Sequence, residues 1–186
     1  MIVTIPNQVL ISPAKAVEKI DKKILQIVEK MKRALLSADK PKGVGLAAPQ
    51  IGISLRIFII KPQPDSLTDV FINPEIVWKS ETLGEIERPA SGKTSVKKDS
   101  KLEGCLSIPN VWGHLRRSTK VKLAYTDIKN QRHEKEFSGF PATIVQHEMD
   151  HLEGILFPQR VLEQKEKLYQ IEETKSGKEK LVEIEI

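Results

Sequence analysis

The stretch Gln146-His147-Glu148-Met149-Asp150-His151, with Pro141 before it and Gly154 after it, constrains this chain most. Helix residues advance about 100° each, so two histidines four positions apart differ by about 40° and leave one face a turn apart. At that spacing two imidazoles can share one metal ion, with Glu148 near enough to act on a bound water without being a ligand. Pro141 suits the first residue of a helix running to Glu153, and Gly154 suits its C-terminal stop. Val145, Met149 and Leu152 make one apolar stripe while Ile144 lies off it, which predicts a helix buried in the core. Other elements must then wrap around this helix and supply a third ligand.

A chain of 186 residues suits a single domain, 1–186, with a sizeable core. No apolar run approaches the ~20 residues of a membrane helix. Met1-Ile2-Val3-Thr4-Ile5-Pro6 lacks the basic start and long apolar core of a signal peptide. The single cysteine, Cys105, excludes an internal disulfide and fits a reducing compartment. The net charge of +5 is dispersed among acidic residues, as in 15–33, so it reads as a solvated face. Neither a membrane partner nor specific nucleic-acid binding is expected.

Ile24, Ile27, Val28, Met31, Ala34 and Leu35 recur at helical spacing, predicting a helix from an Asp21 N-cap to about Ala38. Gly43-Val44-Gly45-Leu46-Ala47-Ala48-Pro49-Gln50-Ile51-Gly52 is too rich in glycine for a regular helix or a central strand. Its small residues suit close backbone approach to a peptide, with Gln50 offering an amide; a dinucleotide loop would need a further glycine and a helix start. Residues 53–61 read as a buried strand, and 70–74 and 75–78 as two segments broken at Pro74. Polar residues 84–101 read as a surface loop. Residues 119–127 alternate as a strand, and 135–138 pair back after a turn at Lys129-Asn130-Gln131. An amphipathic helix over 161–173 and a last strand over 181–186 complete the chain.

The third ligand has two sources. A protease-like zinc site takes it downstream, from Glu163, Glu166, Glu172 or Glu173, yet these sit at ordinary ion-pair spacing on a polar face. Upstream, Cys105 is either a small buried hydrophobe or the third member of a Cys/His/His site with its fourth position open, the catalytic pattern. A non-enzymatic, RNA- or ribosome-associated protein with incidental histidines is the remaining alternative.

Three stretches resemble, in order, the three motifs of peptide deformylases: Gly43-Val44-Gly45-Leu46-Ala47-Ala48-Pro49-Gln50, Glu103-Gly104-Cys105-Leu106-Ser107 and Gln146-His147-Glu148-Met149-Asp150-His151. Asn73-Pro74-Glu75 and Ile5-Pro6 are similar too, so the likeness runs to about residue 162. The implied fold is α+β: mixed, largely antiparallel sheets packed around a central metal-binding helix, with an N-terminal and a C-terminal helix. The implied ligands are Cys105, His147 and His151, holding one divalent ion, Fe²⁺ by family habit, with Zn²⁺ or Ni²⁺ in its place.

The same resemblance makes Glu148 the general base and then the general acid, acting on a metal-bound water that attacks the formyl carbon. Gln50 and the Leu106 N–H would form the oxyanion hole, and Glu103 with Arg117 would brace the cysteine loop. Backbone at Gly45 would pair with the peptide, while Val44, Thr143, Ile144 and His147 would line the pocket for its first side chain. The substrates implied are N-formylmethionyl nascent polypeptides in the cytoplasm. A transient ribosome contact through Arg160, Lys165 and Lys167 is a further expectation. Two departures stand out: 84–101 is longer than the family's usual segment, and 159–186, expected as a helix and tail, is variable there.

Overall fold

The computed structural model describes residues 1–38, 42–86, 101–173 and 179–185. In chain order its elements are α1 (Lys22–Leu36), β1 (Gly45–Ala47), β2 (Ile57–Ile60), β3 (Asp69–Lys79), β4 (Leu83–Gly84), β5 (Leu102–Cys105), β6 (Ile108–His114), β7 (Arg117–Ser118), β8 (Lys120–Thr126), β9 (Arg132–Ser138), α2 (Phe140–Leu152), α3 (Phe157–Glu163), β10 (Leu168–Glu173) and β11 (Glu179–Glu183). An antiparallel sheet runs β1-β2-β3-β8-β9, a second runs β11-β10-β6-β5, and β4 pairs with β7.

The apolar run Ile57-Phe58-Ile59-Ile60 explains why the first sheet is covered on both faces. Successive strand residues point to opposite sides. Phe58 and Ile60 join Phe71, Val121 and Leu123 against Val145, Met149 and Leu152 of α2. Ile57 and Ile59 join Leu46 and Ile72 against Ile24, Val28 and Met31 of α1. Phe71 centres the α2 side, stacked on Phe58 at 4.7 Å and edge-on to Tyr125. α1 starts as its spacing predicts, the Asp21 carboxylate accepting the Lys23 and Ile24 N–H groups at 2.9 and 3.1 Å.

A third cluster, of Cys105, Ile108, Leu115, Phe157, Val161 and Leu168, packs α3 onto the second sheet. The central helix α2 therefore has the first sheet on its apolar side and the β5 strand on its polar side. Both expectations for α2 hold: it is buried on most of its circumference, and Gly154 follows it in the left-handed region. Pro141 stands second in the helix, after Phe140.

Several boundaries differ from the sequence reading, among them the strand over 53–61, which shortens to Ile57–Ile60. Residues 70–78 form one strand, because a register shift between Ile72 and Glu75 absorbs Pro74 as a bulge. Asn73 sits in that bulge at φ 48, its side-chain amide bonded to the N–H and carbonyl of Val17, each at 2.8 Å. The helix expected over 161–173 is corrected: α3 ends at Glu163, Lys165 turns the chain at φ 58, and Leu168–Glu173 is a strand. There β10 pairs with both β6 and β11, satisfying a β6 edge that a longer helix would leave open. The final strand is Glu179–Glu183 instead of 181–186. Leu83–Gly84, at the margin of the expected surface loop, is paired with β7, and residues 87–100 of that loop lie outside the described residues. Among the described residues no helix is long and apolar enough to cross a membrane.

Gly154 ties the end of α2 to the N-terminal segment. At φ 72, a Cβ there would approach the backbone of Ile11 and Ser12 to 2.8 Å. Gly154→Ala is expected to cost about 1–3 kcal/mol of stability, seen as a lower urea midpoint at unchanged slope. An unchanged midpoint would contradict this account.

Candidate metal centre

Three elements deliver the chemistry to one place. The β5 strand ends at Cys105, where a register shift against β6 turns the chain through Leu106 and Ser107. α2 carries His147 and His151 one turn apart, with Glu148 next to His147. The short 3₁₀ turn Ala48–Ile51, following β1, carries Gln50.

Cys105 Sγ lies 3.2 Å from His151 Nε2. One ligand atom from each of Cys105, His147 and His151 falls within 4.8 Å of the others. Ligand atoms around one tetrahedral ion stand roughly 3.3–3.6 Å apart, so small adjustments bring this set to a metal. His147 Nδ1 is 2.7 Å from Glu103 Oε1, which fixes the ring and leaves Nε2 to ligate. A thiolate and two imidazoles suit Zn²⁺, Fe²⁺ or Ni²⁺, and three protein ligands leave a position open. The buried Nδ1 of His151 and Oε2 of Glu148 lack hydrogen-bond partners among the described residues. The residues present fit a bound ion.

Electrostatics here follow from burial and close opposite charges. Burial opposes ionisation of Cys105, but His151 and His147 outweigh it and bring the thiol down to about 5. Burial also works against a charged Glu103, yet Arg117 and His147 hold its carboxyl far below the usual range. Arg117 donates Nε to Glu103 Oε2 at 2.8 Å and Nη2 to Oε1 at 2.7 Å, a forked pair in which both residues are buried. Burial disfavours a charged His147, but Cys105 and Glu103 together raise it well above an ordinary histidine. Glu148 goes the other way from Glu103. Burial pushes it up to about 7, against the pull of His147 and His151.

Gln50 is 1% exposed and oriented by both ends of its amide. Its Oε1 accepts the Ala47 N–H at 2.8 Å, while its Nε2 donates to Ser107 Oγ at 3.3 Å and faces Cys105 Sγ at 3.5 Å. Leu106 lies in the turn beside Cys105, half-buried, with its side chain on the α1 side. Gly45 backs directly onto the site: a Cβ there would collide with the Glu148 carboxylate and with Ile144. Ile144 is buried against the first sheet, and Val44 packs on the same cluster. Thr143 is half-buried on α2, its N–H bonded to Gly139 O at 3.2 Å. The downstream alternatives lie elsewhere: Glu163 is bonded to Gln159 and Arg160, and Glu166 to Arg116.

Sequence reasoning missed three residues that support the site. Ser107, 0% exposed, gives Cys105 Sγ its N–H at 3.4 Å. Gln146 bonds the main chain of Ser118 through both ends of its amide. Asp150 accepts Arg117 Nη1 at 2.9 Å and, on its other oxygen, Arg160 Nη2 at 3.0 Å. The available signal was Asp150 itself, since a carboxylate on a helix read as buried demands a cation. Which arginine would answer was not visible in one dimension.

A family model described as Polypeptide deformylase matches residues 1–167. The chain is 38% identical over 151 residues to Peptide deformylase of Pseudothermotoga lettingae, covering 81% of this chain and 76% of that one. It is 39% identical over 160 residues to Peptide deformylase 1 of Bacillus subtilis, covering 86% and 88%. Its structure is similar to that of the class I type b peptide deformylase from Acinetobacter baumannii with Met-Ala-Ser bound. That match has a TM-score of 0.72 at 32% identity and covers 87% of this chain and 97% of the other.

The raised Glu148 makes a stability prediction. Its carboxyl is neutral longer in the folded than in the unfolded chain, so its contribution is fully present below about 4.5 and is lost as pH rises through about 7. In metal-free protein, Glu148→Gln is expected to unfold at higher denaturant than the unsubstituted chain at pH 8, by up to about 3 kcal/mol. At pH 4 the two should coincide. Equal stabilities at pH 8 would contradict the assignment.

Proposed function

The chain belongs to the polypeptide deformylase family, and from that premise we propose that it hydrolyses the formamide of an N-terminal formylmethionine to formate and a free amine. The observation carrying this reading is the convergence of Cys105, His147 and His151 within 4.8 Å, beside the buried Glu148. These three would hold one divalent ion, Fe²⁺ first, with Zn²⁺ or Ni²⁺ as substitutes. Bound there, the ion supplies Lewis acidity that polarises the formyl group and brings the pKa of water toward ~7.

Glu148, whose carboxyl burial raises to about 7 in the ion-free site, is placed beside the ligands to exchange a proton. It takes the proton of the attacking water and delivers it to the departing nitrogen. Gln50 Nε2 and the Leu106 N–H stabilise the oxyanion, each donor being worth about 3–4 kcal/mol in such sites. Glu103 and Arg117 hold His147 and the cysteine strand in register. The edge of β1 at Gly45 pairs with the substrate backbone, and Val44, Thr143, Ile144 and His147 flank the methionine side chain. Ile144 and Gly45 leave little room beside Glu148, which favours formyl over acetyl. Met-Ala-Ser, bound in the Acinetobacter baumannii protein, supports a product beginning with methionine. The cytoplasmic setting follows from a nascent-chain substrate.

An anaerobic assay with formyl-Met-Ala-Ser, with metal quantified in the same sample, tests the reading. Glu148→Ala is expected to lower kcat by about 10²–10⁴-fold and Gln50→Ala by about 10²–10³-fold. Cys105→Ala should lose the ion, whereas Glu163→Ala should keep it. Full activity in Glu148→Ala would refute the mechanism, and the reverse metal pattern would favour a downstream-ligand peptidase.

A ribosome contact through the C-terminal region belongs to the proposal in narrowed form. Arg160 is held by Asp150 and Glu163, and Lys167 is bonded to Glu183 at 2.7 Å. Reversing Lys165 and Lys167 to glutamate should reduce co-sedimentation with ribosomes at low salt. Equal co-sedimentation would remove the idea.

A further inference from the structure

We propose that Arg160, on α3 and outside the Cys/His/His cluster, is a positioning residue that sets the His147 ring through Asp150, Arg117 and Glu103. The proposal rests on the metal reading above and extends it to a residue that touches neither the ligands nor Glu103.

The contacts form an unbroken line. His147 Nδ1 meets Glu103 Oε1 at 2.7 Å, and Arg117 holds both oxygens of Glu103 at 2.7 and 2.8 Å. Arg117 Nη1 meets Asp150 Oδ2 at 2.9 Å. Arg160 Nη2 and Nε meet the other oxygen, Oδ1, at 3.0 and 3.2 Å.

Charge and geometry both give Arg160 a task. Glu103 and Arg117 already neutralise one another inside the protein, so the buried Asp150 adds an uncompensated negative charge. Such a charge needs a partner, and Arg160 is the second cation on it. Asp150 divides its oxygens between two arginines, one each. Without Arg160, both oxygens become available to Arg117 and compete with Glu103 for its guanidinium. The fork on Glu103 loosens, and with it the acceptor that orients His147.

A second contact supports the same reading. Gln164, the C-cap of α3, accepts the Arg116 N–H at 3.0 Å and donates to the Arg116 carbonyl at 2.8 Å. α3 therefore grips Arg117 twice, by its side chain through Asp150 and by the main chain just before it. Arg160 also bonds Glu163 on the exposed side at 3.0 Å, which provides an internal control.

The test compares Arg160→Gln, Arg160→Lys and Glu163→Gln. In metal-free protein, the imidazole resonances of His147 are read by long-range ¹H–¹⁵N NMR. In Co²⁺-loaded protein, the visible d–d bands and the rate of Co²⁺ release to EDTA are read. Arg160→Gln is expected to shift the His147 resonances, alter the bands and speed release about 3–10-fold. Arg160→Lys, which keeps the charge but not the planar fork, should fall between it and the unsubstituted chain. Glu163→Gln should match the unsubstituted chain. Unshifted resonances and unchanged release in Arg160→Gln would overturn the proposal, even if that variant melts lower, since a purely stabilising contact predicts that pattern. Equal effects from Glu163→Gln would also overturn it. Should Arg160→Gln fail to fold, an unshifted Arg160→Lys decides against the relay. If the unsubstituted chain takes up no Co²⁺, the metal reading fails, while the metal-free resonances still judge the positioning role.

Discussion

The contact on which most of this structure depends is the forked ion pair between Arg117 and Glu103, buried where the second sheet meets the central helix. Desolvating two charges is costly, and only close geometry and further hydrogen bonds offset it. Here Glu103 spends one oxygen on His147 as well, and Arg117 spends its remaining nitrogen on Asp150. The β5 strand, β7 and α2 are thereby fixed relative to one another at the point where Cys105 must meet two histidines. Apolar packing alone tolerates sliding of a strand along a helix; a forked pair does not.

The opposite arrangement surrounds Glu148. It is as buried as Glu103 but is given no guanidinium, and one oxygen has no partner among the described residues. Two carboxylates on the same site are thus driven apart, one locked as an anion and the other poised near neutrality. Gly45 makes this possible by bringing backbone where a side chain would displace the carboxylate. The site gives up stability at Glu148 and recovers rigidity through Glu103.

Much of this was legible in one dimension. The i, i+4 histidines, the apolar stripe of α1 and the alternation of β8 each follow from a local period, and the structure contains each. Local reading failed where a distant edge chose the conformation. Leu168–Glu173 has residues that a helix would accept, yet it pairs with β6 and β11. Pro74 marks a break by local pattern, yet a bulge anchored by Asn73 carries the strand past it.

The sequence by itself determined which residues are the candidates for the chemistry, because ligand spacing on a helix and the order of three motifs are properties of the chain. It also marked Cys105 as the upstream candidate, but only as one of two sources. Tertiary structure alone decided that Cys105 stands 3.2 Å from His151, that Gln50 faces it, and that Asp150 joins Arg117 to Arg160. Those contacts join residues remote in sequence, and their distances depend on how two sheets close on one helix, which no local pattern encodes.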